Sequence, residues 1–149
     1  MVVCWGVFGE EGFSYGGTVE VRISNPPVGL GQPVFHKLKS DLASAFMGVG
    51  SCYEVCLGAK NFDISQEEGS GLHGKREISI YGGIRGGIST GEEIIFQLKF
   101  KPPASVLETA KKGRHDPCII PRVTVVVESM AWLVMADHLL WSLRDRLSE

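Results

Sequence analysis

The stretch "REISIYGGIRGGISTGEEIIFQLKFKPPAS", residues 76–105, decides the fold. From residue 92 to 101, Ile94, Phe96, Leu98 and Phe100 alternate with Ile95, Gln97, Lys99 and Lys101. That is the two-residue period of a strand with one face buried. A strand-like run from Arg76 leads into the five glycines between Gly82 and Gly91, and the alternating strand leads out of them. Because strand rather than helix follows, the loop does not fit the dinucleotide-binding fingerprint. Side-chain-free backbone at "YGGIRGGISTG" can approach a flat or anionic ligand closely. A glycine-rich hairpin is the purely structural alternative.

Working outward, "GGTVEVRIS" (16–24) sets Val19, Val21 and Ile23 against Glu20, Arg22 and Ser24, a second half-buried strand. "NPPVGLGQP" (25–33) is a turn-rich connector, and Pro33 opens a helix with Phe35, Leu38, Leu42 and Phe46 at helical spacing. "SCYEVCLG" (51–58) predicts a strand with Tyr53, Val55 and Leu57 on one side. The polar "NFDISQEEGSGLHGK" (61–75) predicts a mobile loop. The last helix starts near Pro121 and runs to about Leu147, although the β-branched run Val123–Val127 is also compatible with a strand. Clustered antiparallel strands with helices apart from them make an α+β fold.

Bulk properties narrow the function. A chain of 149 residues is one domain, able to bury roughly 70% of its unfolded surface. A net charge of −2 gives no basic footprint for nucleic acid. Residues 123–143, "VTVVVESMAWLVMADHLLWSL", are apolar but carry Glu128, Asp137 and His138, which argues for a buried helix rather than a membrane span. The start "MVVCWGVF" lacks a basic leader, so no signal peptide is read. Cys52 and Cys56 fall on one face of a strand about 13 Å apart, beyond bridging reach. No zinc spacing is present, and the chain is expected to be cytoplasmic and reduced.

Two further clusters carry chemistry. In "KFKPPAS" (99–105) Lys101 stands at a strand end and Ser105 follows a rigid Pro-Pro, a pair suited to a phosphate. In "GRHDPC" (113–118) Arg114 is able to clamp an anion bidentately and Asp116 to accept a proton, although Asp-Pro is also an ordinary turn. His36 on the polar side of the first helix, His73 in the loop and His138 late in the last helix are read as structural. Trp132 and Trp141 are read as core or interface.

These stretches together resemble chorismate synthase. The matching segments are "PPVGLGQPVFHKLKSDLASAFM", "GGIRGGISTG", "KFKPPAS" and "GRHDPCIIPRVTVVVESMAWLVMADHLL", in the family's order. Residues 1–15 carry no match, and 16–149 form a C-terminal chorismate synthase-like region of the family's β-α-β sandwich. The resemblance implies a homotetrameric lyase converting 5-enolpyruvylshikimate 3-phosphate to chorismate by anti 1,4-elimination of phosphate, with reduced FMN. No metal, nucleic acid or membrane enters. By resemblance Asp116 is catalytic, placed at the flavin N5, and Arg114 binds substrate and flavin. Gly86, the loop Lys101, Pro102, Pro103, Ala104 and Ser105, and the pair Gly50 and Ser51 contact FMN. Pro103 and Ala104 stand where the family carries hydroxyl residues, and Ser79 and Ile80 where it carries Asn and a basic residue. "CWGVFGEEG" (4–12) shares only Trp5 and Gly6 with the family's N-terminal Trp-Gly-Glu-Ser-His-Gly, and no histidine precedes His36. A truncated enzyme is the first reading; a non-catalytic remnant or oligomer-interaction module of the same fold is the alternative.

Overall fold

The computed structural model describes residues 2–6, 14–58, 69, 81–103 and 118–146, of which 2–6 and 146 are described by backbone alone. The fold is α+β. Strands β1 (Val2–Gly6), β2 (Gly17–Ile23), β3 (Cys52–Leu57) and β6 (Ile94–Phe100) form one sheet in the order β1-β2-β6-β3. Every neighbouring pair is antiparallel. Strands β4 (Ile84–Arg85) and β5 (Ile88–Ser89) form a separate small hairpin. Helices α1 (Leu38–Met47) and α2 (Ile120–Arg146) pack on each other and on the sheet, α1 over β3 and α2 over β1 and β2.

The sheet's inner face follows directly from the alternation. Val19 pairs with Leu98 and Val21 with Phe96, and on the other side Val55 pairs with Leu98 and Leu57 with Phe96. Leu38, Leu42 and Phe46 of α1 close over this face, with the Phe46 and Phe96 rings edge-on at 5.3 Å. From α2 come Ile120, Val123, Val127, Ala131 and Met135, spaced by three or four residues. The opposite face carries polar ladders: Arg22 to Glu20 and Glu93 at 2.6 and 3.0 Å, and Lys99 to Glu54 at 2.7 Å.

Three expectations need correction. The first helix begins at Leu38, not Pro33, because the Leu38 amide donates to Gly87 O (2.8 Å) and Gln32 N to His36 O (2.8 Å), which ties residues 32–37 into a turn. Phe35 is consequently 86% exposed, and His36 precedes the helix. Tyr53 does not share a face with Val55 and Leu57. The register shifts between Cys52 and Glu54, so Tyr53 is an extra residue in the strand and Cys52 turns inward while Tyr53 is exposed. Cys52 and Cys56 therefore lie on opposite faces; both are free thiols, as is the buried Cys118.

The last helix runs as expected, and Pro121 falls in its first turn, where a missing amide hydrogen costs nothing. By length and composition α2 would also cross a membrane, yet one flank of it is packed in the core. Trp132 is exposed rather than core. The loop 61–75 and the run 76–80 lie outside the described residues, apart from Gly69.

Candidate functional site

One crowded end of the sheet is where β6 finishes and β2 and β3 begin. Gly16 lies so close to β6 that a Cβ there would sit 2.4 Å from Phe100 O and 3.2 Å from Pro102. The Lys101 amide donates to Ser51 O at 3.0 Å. Ser51 holds a left-handed φ of 68°, which turns the chain from α1 into β3. The Ser14 hydroxyl donates to Pro103 O at 2.5 Å, and Tyr15 bridges Cys118 at the entrance to α2. Four segments distant in sequence thus converge.

A groove of about 390 Å³ opens here, lined by Gly16, Thr18, Tyr53, Lys99, Lys101 and Pro102. Its two lysines differ electrostatically. Glu54 binds Lys99 through both carboxylate oxygens (2.7 and 2.8 Å), and this hydrogen bonding raises the Lys99 pKa above its ordinary value. Lys101 is exposed, and among the described residues no carboxylate pairs with it. One committed and one available cation beside a sharp backbone turn make a place for an anionic group.

The glycine loop is a hairpin. Gly86 (φ 62°) and Gly87 (φ 97°) are its two central residues, the left-handed pair that a type I′ turn requires. Ser89 anchors the hairpin to the 27–30 connector: its hydroxyl donates to Pro27 O (2.6 Å) and accepts from Leu30 N (2.8 Å). A Cβ on Gly87 would strike Lys37, whereas a Cβ on Gly86 would meet nothing within 4 Å. The backbone at Gly86 faces open space.

Of the residues singled out in the sequence, Gly50, Ser51, Lys101, Pro102 and Pro103 are brought together. Gly86 is not among them: Gly87 sits at the start of α1 and Ser51 beyond its end, and ten residues of helix span about 15 Å. Ala104, Ser105, Arg114 and Asp116 lie outside the described residues.

Sequence reasoning missed one polar cluster. His138, 2% exposed, brings Nε2 to 3.0 Å from Asp41 Oδ2, and His36 Nδ1 lies 3.4 Å from the same oxygen. Trp141 stacks edge-on against both imidazoles. The signal was available, since His138 continues the stripe Val127, Ala131, Met135 on the buried side of α2.

Comparison with known proteins places this architecture. The family model described as chorismate synthase matches residues 7–140. The chain belongs to the chorismate synthase family. A chorismate synthase of Bdellovibrio bacteriovorus is 54% identical over 140 residues, covering 93% of this chain and 40% of the relative. One from Prochlorococcus marinus (strain NATL1A) is 39% identical, covering 89% and 43%. A solved chorismate synthase crystal structure superposes with a TM-score of 0.70 at 28% identity, covering 88% of this chain and 39% of that one. The chain thus spans about two-fifths of the length of the chorismate synthases it matches.

Proposed function

We propose that this chain carries part of the flavin- and substrate-facing wall of a cytoplasmic, tetrameric chorismate synthase, the lyase that forms chorismate from 5-enolpyruvylshikimate 3-phosphate with reduced FMN. The observation that carries this reading is the Lys101 N–H to Ser51 O bond. It sets two segments that resemble the family's FMN contacts side by side, with an available ammonium between them and a groove.

The residues present fit the phosphate end of FMN. Lys101 supplies the charge, Gly50 leaves its Cβ position open, and Pro102 stiffens the strand exit. Pro103 offers no donor, so among the described residues Lys101 and the Ser51 hydroxyl carry the polar contacts, and Ser105 joins them by family resemblance alone. Gly86 presents bare backbone to the flat part of the ligand.

The elimination breaks the C–O bond to phosphate at one end of a four-carbon unit and a C–H bond at the other, on opposite faces, with no net electron exchange. Reduced FMN, which Lys101 and Ser51 would hold by its phosphate, would supply transient electron density for this elimination. Asp116 serves the proton side and Arg114 clamps an anionic group of the substrate.

Titration with FMN and with riboflavin, which lacks the phosphate, tests the reading. Lys101→Ala should weaken FMN by about 1.5–3 kcal/mol, roughly a ten- to 150-fold loss, and leave riboflavin unchanged. Equal losses for both ligands would make Lys101 a structural residue, and absence of binding by the unaltered chain would favour the non-catalytic reading.

A further inference from the structure

The His138–Asp41 contact lies outside the groove, yet it reaches the glycine hairpin through the backbone. Asp41 sits in the first turn of α1, and its amide donates to Lys37 O at 3.1 Å. One residue after Lys37, the Leu38 amide donates to Gly87 O at 2.8 Å. Gly87 in turn packs so tightly on the Lys37 side chain that a Cβ there would lie 2.5 Å from Lys37 Cγ, and a Cβ on Gly31 would lie 2.4 Å from Gly87 O. The hairpin tip is therefore seated on the start of α1.

The start of α1 is held by the buried Leu38, by the Leu38 amide on Gly87 O and by contacts to the Asp41 carboxylate, including His36 Nδ1 at 3.4 Å. Lys37, the residue before the helix, makes no side-chain capping bond. The helix's polar tie to α2 is Asp41, whose carboxylate accepts from His138 Nε2. Because an ionised carboxylate only accepts, Nε2 is the protonated nitrogen at this contact. Asp41 is 29% exposed while His138 is nearly fully buried, so the bond is sheltered on one side.

We propose that His138 is a positioning residue for the glycine hairpin: its bond to Asp41 fixes the first turn of α1 and thereby the Gly86–Gly87 tip. The consequence for ligand binding rests on the flavin reading of Gly86; the latch itself does not.

Amide hydrogen exchange on the whole chain tests the latch without any ligand. Glutamine and methionine have similar length and volume, but only glutamine retains a donor near the Nε2 position. In His138→Met the Leu38 and Ser89 amides should exchange at least about tenfold faster, with the Leu98 and Val19 amides of the central sheet unchanged. His138→Gln should restore protection to within about threefold of the unaltered chain. Asp41→Ala, at a partly exposed position that leaves no core cavity, should reproduce the methionine pattern.

Unchanged Leu38 and Ser89 exchange in both His138→Met and Asp41→Ala would overturn the proposal. So would uniform acceleration across the sheet, or equal behaviour of Met and Gln, since each marks His138 as ordinary packing. Parallel FMN titration separates the two readings. Faster hairpin exchange with intact FMN affinity would uphold the latch and remove Gly86 from the flavin site.

Discussion

Glycines alike in sequence do different work once placed. Gly83 (φ 72°) has backbone oxygens of Glu93 and Glu92 at 2.6 and 2.7 Å from where a Cβ would stand, whereas Gly86 (φ 62°) has open space. Gly86→Ala should cost only the left-handed backbone preference, about 1–2 kcal/mol. Gly83→Ala must also displace backbone and should cost about 3 kcal/mol or more. Urea denaturation of the two variants measures the difference, and equal costs would contradict the described hairpin. Cysteines separate in the same way. Burial raises the Cys52 pKa, while Cys56 is exposed on the opposite face. Iodoacetamide at pH 8 should modify Cys56 first, as peptide mapping would show. A raised folded-state pKa means a contribution to stability that is present below the unfolded thiol value, near 8.5, and lost as pH rises through the folded one. Cys52→Ala should therefore flatten the alkaline decline in stability.

Among the elements, β2 and β6 were legible because each holds one unbroken period of two, a property of local sequence; α2 was legible from its apolar length and Pro121, while its β-branched opening left a strand open. Two failures share one cause. The start of α1 is set by a bond to Gly87, and the inward turn of Cys52 by the register with β6, both made with residues about fifty positions away. Val2–Gly6 was read for a leader and not as a strand, although its backbone pairs with β2. For the site, the nearness of Ser51 to Lys101 came through family resemblance, since no periodicity relates residues fifty apart. The Tyr53 bulge yields a prediction. Deleting Tyr53 leaves Cys52 opposite Phe100 and Glu54 opposite Lys99 in regular succession, so the inner face is kept. Deleting Val55 moves Cys56 and Leu57 to the wrong faces. The first deletion should lower stability by no more than about 1–2 kcal/mol and the second should abolish cooperative unfolding, as thermal melts would show.

At the scale of the molecule, α2 has two unlike sides. One is core; the other exposes Val125 (66%), Trp132 (69%), Leu133 (66%) and Leu140 (65%) in a line along the helix. An apolar face of this extent is an aggregation liability. Trp132→Glu combined with Leu140→Lys should leave unfolding stability within about 0.5 kcal/mol and raise the concentration at which the protein stays in solution, as light scattering would record. The strand order has a consequence in time as well as in space. Strand β6 separates β2 from β3, so the β1–β2 pair and β3 cannot form one sheet until β6 exists. On the ribosome about forty residues are added between the end of β3 and the end of β6, which takes roughly 2–8 s at ordinary elongation rates. Through that interval Val19 and Val21 lack their partners on one side, and Val55 and Leu57 await β6; a nascent chain in that condition is the one chaperones are built to hold.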